Sequence, residues 1–399
     1  MISVDQALHT LLDLTETVGM QTCALRDAGG RVLRVTQTAT RAQPPFDASA
    51  MDGYAVSDAQ TPTVGARWVQ VGTAAAGHGF HETLRPGQAV RIFTGAPVPK
   101  NTTRILLQEN ISTQGKHITL TAPAEATTYI RPAGCDFDMG FELPAPQVLG
   151  RAQLALLPAT NVPEVKVSKR PVVAIMATGD ELVFPGEKPG PDQIVASNVF
   201  GLIAMFEAAG ATVRLLPIAD DTMTSLKAGF ELAGDADLIV TIGGASVGDH
   251  DLIAATLDAL GFHKMFYKIR MRPGKPLMAA KRGAQMVIGL PGNPVSALVC
   301  AQVFCVPVIR QMLGMHHKAT NVQTGILAHD IPANGGREHY MRGIEDSGLI
   351  TVFEHQDSAL LSVLHRANVL IRRPVNDPAR AKGANVDFLY FGAIAFGQK

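Results

Sequence analysis

Cysteine is scarce in this chain. There are four in 399 residues, Cys23, Cys135, Cys300 and Cys305, with no C-x-x-C pair and no zinc-site spacing. A disulfide framework and a structural zinc are therefore not expected, and a reducing cytoplasm is. Cys300 and Cys305 fall in the apolar stretch VCAQVFCVPVI, where free cysteine packs as a small hydrophobe. The twelve histidines are scattered and form no H-E-x-x-H, which sets aside the zinc hydrolases. Neither sign of charge dominates: Lys plus Arg and Asp plus Glu number 35 each. Without the broad field that draws a protein to nucleic acid or to an anionic membrane, neither partner is expected. No stretch reaches the roughly 18 uninterrupted apolar residues of a membrane span. The opening MISVDQALHTLLDLTE carries acids inside its apolar run and no basic leader, unlike a signal peptide.

What is present is a long chain, 46% apolar and 18% charged, able to form two to four domains with cores of their own. Ser3 with Gln6 makes a capping box ahead of Val4, Ala7, Leu8, Leu11 and Leu12, a spacing that predicts an amphipathic helix ending near Gly19. Residues 28–45 read as extended, and Pro44-Pro45 breaks them. Residues 46–137 hold short β-branched runs (WVQVG, AVRIFTGAPVP, RILLQEN, HITLTAP) parted by Gly and Pro, the pattern of a small β module. Residues 138–170 read as a return through the first unit, which makes that module an insertion. From Pro171 apolar strands alternate with helical stretches (NVFGLIAMFEAAG, TMTSLKAGFELAG, DLIAATLDALG). This predicts a parallel, doubly wound, three-layer α/β domain ending near Gly314. Beyond Thr320 strands return in ITVFEH, NVLIRRP and VDFLYFGAIAF, as in a small terminal β-barrel or sandwich.

The chemistry is expected where four apolar runs of the α/β region end, because ligands of open α/β sheets bind outside the carboxyl ends of the strands. VVAIMATGDEL runs through Gly179 into Asp180 and Glu181, and TVRLLPIADD ends in Asp220 and Asp221. DLIVTIGGASVGDHD turns through Gly243, Gly244, Ser246 and Gly248 into Asp249 and Asp251. The carboxylates have the oxygen chemistry of a divalent cation held against a phosphate. Glycines let backbone N–H groups approach an anion, with the Ser246 hydroxyl as a further donor. In MVIGLPGNPVSAL, Pro291 and Gly292 lead to Asn293 as a helix N-cap, with Pro294 and Ser296 in the first turn. Lys268, Arg270, Arg272 and Lys275 in YKIRMRPGKP form a local positive cluster that suits either an anion site or a solvated strand edge. The polar turns FDASAMDGY and RIFTGAP, read on physics alone, are turn chemistry.

FDASAMDGYAV, RIFTGAPVP, ATGDEL, GGASVGDHD, MRPGKPL and GLPGNPVSA occur in that order, and together they resemble the molybdopterin molybdenumtransferase family, the MoeA group that includes the gephyrin E domain. The resemblance runs from about residue 3 to residue 399. It implies four domains: 1–45 with 138–170, an inserted β domain at 46–137, a MogA-like molybdopterin-binding α/β domain at 171–318, and a β-barrel at 319–399. It implies a cytoplasmic homodimer that takes molybdate and adenylylated molybdopterin, releases AMP with the help of Mg2+, and leaves molybdenum on the pterin. Molybdopterin adenylyltransferase and recipient molybdoenzymes would be its partners. Matched motif by motif, Asp52, Thr94, Asp136, Glu181, Asp221 (or its neighbour Asp220), Asp251, Lys268, Arg272 and Lys275 would act in catalysis. Glu181, Asp221, Asp249 and Asp251 would meet the metal. Gly179, Asp180, Gly243, Gly244, Ser246, Gly248, Pro291, Gly292, Asn293, Pro294 and Ser296 would bind the cofactor. The Ser358 and Ser362 segment matches only loosely. Adenylylation of molybdopterin, or a non-catalytic pterin carrier or scaffold, are the alternative activities.

Overall fold

A computed structural model describes residues 1–244, 252–315 and 322–392. It divides into two compact units, one of Met1–Gln21, Gly30–Val32 and Val167–Lys399, the other of Thr22–Gly29 and Leu33–Lys166.

The second unit is built around a six-stranded sheet. Its spatial order is Arg104–Leu107, Gly53–Val56, Gln88–Ile92, Arg67–Ala74, His117–Leu120, Ile111–Gln114. Alternation along the strands feeds two small cores. Tyr54, Val56, Trp68, Leu106 and Ile118 fill one, and Ala55, Val90, Ile92 and Ile105 fill the other. The Trp68 ring N–H, buried with its strand, donates to the Asp58 carboxylate at 3.1 Å.

The first unit opens with the helix Val4–Leu14, and its capping box is formed by Ser3 and Gln6. The helix ends five residues before Gly19. Thr15 closes it, its hydroxyl donating to Leu11 O at 2.6 Å and its N–H to Leu12 O, after which the chain extends into the strand Met20–Ala24.

The central sheet of this unit runs Thr212–Leu215, Val172–Ala177, Leu238–Ile242, Gln285–Leu290, Met278–Arg282, His263–Tyr267. Val173, Ile175, Val240 and Ile288 point to one face, where the helices Val4–Leu14, Asn198–Ala208 and the continuous helical stretch from Pro294 to Met312 cover them. Ala174, Met176, Ile239 and Val287 point to the other, under Met223–Leu232 and Leu252–Ala259. Strands buried on both faces are why their sequences read as unbroken apolar runs. The expectation of a wholly parallel sheet needs correction: the first four strands are parallel, and the last two are antiparallel. Arg282 pairs directly with Gln285, leaving two residues between the strands, and so short a link makes a hairpin whereas a parallel crossover needs a dozen or more. Among the described residues one helix, Pro294–Met312, is long and apolar enough to cross a membrane, but 78% of its apolar window is buried against this sheet and its neighbours.

Towards the carboxyl end the strands Glu338–Asp346, Leu349–Val352, Gln323–Leu327, Asn385–Tyr390 and Val369–Arg373 pair in sequence, and the last pairs back onto the first. The ring is a closed five-stranded barrel around Leu327, Ile350, Val369, Ile371 and Phe388. Met271–Arg272 adds to its rim in parallel with Glu338 and His339.

Candidate active site

The ends of the parallel strands converge on a cavity of about 480 Å³. Thr178 donates its N–H to Ile242 O, Gly179 to Ala219 O and Gly243 to Leu290 O, so three strand ends are stitched to one another before each chain turns away. Two of these turns require glycine. Gly179 has φ +142° and a Cβ there would lie 2.3 Å from the Glu181 carboxylate, and Gly243 has φ +95° with the Thr178 carbonyl oxygen 2.6 Å from the same point. Removing the side chain lets the backbone close and aims Glu181 at the cavity.

Gly179, Glu181, Asp221, Gly243, Gly244, Pro291, Gly292, Asn293 and Pro294 line this space. The N-termini of the helices beginning at Asn198 and Pro294 open onto it as well, and such ends attract anions. Leu182, Ile194, Val195 and Pro276 supply an apolar wall. Asp180 stands behind the lining: its carboxylate accepts the Asp221 N–H at 2.9 Å and fixes the turn that presents Asp221. Ser296 is buried within the helix. Lys268, Arg272 and Lys275 lie on the segment preceding Pro276, Arg272 in the short rim strand; there Ile269 N–H bonds Lys275 O, and Lys268 sits at φ +66° with its ammonium 5.0 Å from the Tyr267 ring centroid. Ser246, Gly248, Asp249 and Asp251 lie outside the described residues.

The Asp221 carboxyl is held above the usual carboxylate range, first by partial desolvation and then by repulsion from Asp180, Glu181 and Asp220. Four acids crowd two neighbouring strand ends, a donor set with the charge and oxygen chemistry for a hard divalent cation. Among the described residues no three His, Cys, Asp or Glu side chains come together as a complete metal site.

Asn293 occupies the N-cap position, but its side chain does not cap. Its amide instead donates to the Ser358 hydroxyl at 3.1 Å, and Ser358 O accepts the Val295 N–H at 3.2 Å. The reason is local. With Pro294 contributing no N–H, the first helical donor needing a partner is Val295, and a neighbouring carbonyl reaches it where the Asn293 side chain does not. Ser358 is thus brought to the Pro291–Pro294 loop from 65 residues away, a proximity no spacing in the sequence signals. Asn198 braces the same loop through its amide to Gly292 O at 2.8 Å.

On the barrel strand beside Arg272, His339 is 6% exposed. Its imidazole is pushed down to about 3 by burial and by Arg272, Arg342, Arg373 and Arg337 around it.

In the other unit Asp52 and Thr94 meet. One carboxylate oxygen of Asp52 accepts both the backbone N–H and the hydroxyl of Thr94, each at 2.8 Å, and these bonds hold its carboxyl below the usual range. Gly53 follows because the strand runs against its neighbour's backbone, leaving a Cβ only 1.9 Å from Leu106 O. Asp136 is exposed, on a turn whose N–H bonds Gln43 O at 3.0 Å.

Comparison with known proteins finds one family along the length of the chain. Residues 2–160 match the MoeA N-terminal region (domain I and II), 174–311 a probable molybdopterin binding domain, and 324–391 the MoeA C-terminal region (domain IV). A molybdopterin molybdenumtransferase of Nostoc sp. is 36% identical over 79% of this chain and 75% of its own. One from Haemophilus influenzae is 32% identical over 93% and 94%. The solved molybdopterin biosynthesis MoeA protein of Pyrococcus horikoshii superposes with a TM-score of 0.83 at 25% identity, covering 98% of this chain and all of that one. Motifs, architecture and relatives together place the chain in the molybdopterin molybdenumtransferase family.

Proposed function

We propose that this protein inserts molybdenum from molybdate into adenylylated molybdopterin, cleaving the phosphoanhydride and releasing AMP. It is a transferase of molybdenum cofactor biosynthesis. The observation that carries the reading is the cavity at the strand ends, where two helix N-termini, the Gly243–Gly244 turn and the carboxylates of Glu181 and Asp221 face one space. Helix ends and backbone N–H groups favour the phosphate and molybdate anions, and Leu182, Ile194 and Val195 offer a flat ring an apolar surface.

Glu181 and Asp221 are the described residues that would hold Mg2+, with substrate oxygens completing the shell. When bound, the ion supplies charge neutralisation at the pyrophosphate. Asp180 keeps Asp221 in place, Gly179 keeps Glu181 in place, and Asn293 with Ser358 fixes the loop at the far wall. Asp251 and Asp249 belong to the same proposal, as do Lys268, Arg272 and Lys275 as cationic partners of the anions. Asp52, Thr94 and Asp136 are proposed to act from the inserted β domain of a partner subunit in a cytoplasmic homodimer, with the four-part division 1–45 with 138–170, 46–137, 171–318 and 319–399. Molybdopterin adenylyltransferase would hand over the substrate and molybdoenzymes would receive the product.

The test is AMP release from adenylylated molybdopterin by the purified protein in magnesium, with and without molybdate. Release that depends on molybdate and is lost in a folded Glu181→Ala variant is expected. ATP consumption without molybdate would replace this reading with adenylylation, and no turnover in any condition with pterin still bound would replace it with a carrier. Full activity from a monomer, measured by sedimentation, would remove the shared-cleft part.

A further inference from the structure

Arg91 opens the RIFTGAPVP string and lies beside the Asp52–Thr94 pair, although only Thr94 of that string was matched to a role. It is paired across the sheet with Tyr54, two residues after Asp52, and it stands three before Thr94. Its guanidinium donates to Gly53 O at 2.9 Å and to the Gln108 side-chain oxygen. Gln108 returns the connection, its backbone N–H reaching Asp52 O at 3.3 Å while its side-chain amide donates to Glu109. The guanidinium carbon is also 4.6 Å from the Phe93 ring centroid and 5.1 Å from that of Tyr54. Phe93 is the residue immediately before Thr94. One side chain therefore ties down the residue after Asp52, the residue before Thr94 and the helical turn Gln108–Asn110, whose first N–H meets Asp52 O.

We propose that Arg91 is a positioning residue for the Asp52–Thr94 pair, holding one Asp52 oxygen on Thr94 so that the other is presented outward to a ligand. No hydrogen bond to that second oxygen occurs among the described residues. Lysine substitutes only in part, because the arrangement uses two donors of a rigid fork besides the cation near the two rings, and an ammonium is a point charge. The charge acts in the same sense as the geometry, since Arg91 adds to the lowering of the Asp52 carboxyl already caused by the Thr94 bonds. Arg91 is the cation facing Asp52, and Glu109, beyond Gln108, is the nearest acid in the network. The inference rests on the reading that Asp52 and Thr94 serve the transfer reaction.

The experiment compares full-length wild-type, Arg91→Met and Arg91→Lys proteins by two readouts: the titration midpoint of the Asp52 side chain, followed by carbon NMR and assigned with Asp52→Asn, and the kinetics of molybdate-dependent AMP release. In Arg91→Met the Asp52 midpoint is expected to move up toward that of an ordinary aspartate. The kcat is expected to fall about ten- to a hundredfold, the scale of a misplaced reacting group, with KM for molybdate little changed. Arg91→Lys, which keeps charge but loses the fork, falls between. An unmoved Asp52 midpoint in folded Arg91→Met overturns the proposal. A moved midpoint with unchanged turnover keeps Arg91 as the brace and overturns the participation of Asp52 in the reaction. Should Arg91→Met not fold, Gln108→Ala takes its place by removing the second partner of the fork, with the same two outcomes.

Discussion

At the scale of single residues, two perturbed groups impose opposite pH dependences. Asp221 binds its proton more tightly folded than unfolded, because desolvation and its acidic neighbours oppose its charge, so its contribution to stability is lost as pH rises through the carboxylate range. Asp221→Asn should therefore raise the melting temperature at pH 7, on the order of 1–2 °C for an exposed carboxyl. The gain should disappear below the carboxylate range, which thermal melts at several pH values would check. His339 runs the other way. It stays neutral in the fold down to about 3 while an unfolded imidazole protonates near 6.5, so stability falls as pH drops through that window, by up to about 1.4 kcal/mol per pH unit. His339→Gln should flatten that acid slope in urea titrations, and an unchanged slope would refute the assignment. Both effects begin with burial and combine near neighbours, Asp220 for Asp221 and Arg337 and Arg342 for His339, with groups brought in from other segments.

At the scale of elements, the sheet ends of the first unit were readable in the chain because a strand buried on both faces must be continuously apolar, so the first charges and glycines after it mark where it stops. The pairing of Asn293 with Ser358 was not readable, since it joins two elements that only the packed barrel and α/β layers bring together. The antiparallel edge was legible in principle: KRGAQ leaves no room for a crossover. In the middle strand, Thr241 is fully buried and its hydroxyl has no partner among the described residues. Thr241→Val replaces that hydroxyl by a methyl of equal size and should stabilise the protein by about 1 kcal/mol. A destabilised variant in denaturant titration would mean the hydroxyl has a partner after all. Gly243→Ala should do the reverse, costing about 1–3 kcal/mol because a left-handed backbone meets the Thr178 carbonyl, with loss of AMP release at temperatures where the variant is folded.

At the scale of the molecule, the two compact units differ in what reports on them. The chain has one tryptophan, Trp68, and it is buried in the six-stranded sheet of the second unit among Tyr54, Leu106 and Ile118. Its emission should shift red as that unit unfolds. Ile118→Ala, which opens a cavity beside it, should lower the fluorescence midpoint in denaturant by the equivalent of about 2–4 kcal/mol.

The sequence by itself determined the capping-box helix, the apolar strands and the positions of Glu181, Asp221 and the glycine turns, because these depend on side-chain period and on backbone freedom, which are local properties. Its ordered motifs also carried the family. Only the tertiary structure decided that Asp180 supports Asp221 and does not line the cavity, that Ser358 reaches the Pro291–Pro294 loop, that Arg91 bonds Gly53 and Gln108 beside Asp52, and that five short terminal strands close into a ring. Each of those is a contact between segments far apart in the chain, fixed by packing of whole elements, and no local pattern of residues encodes it.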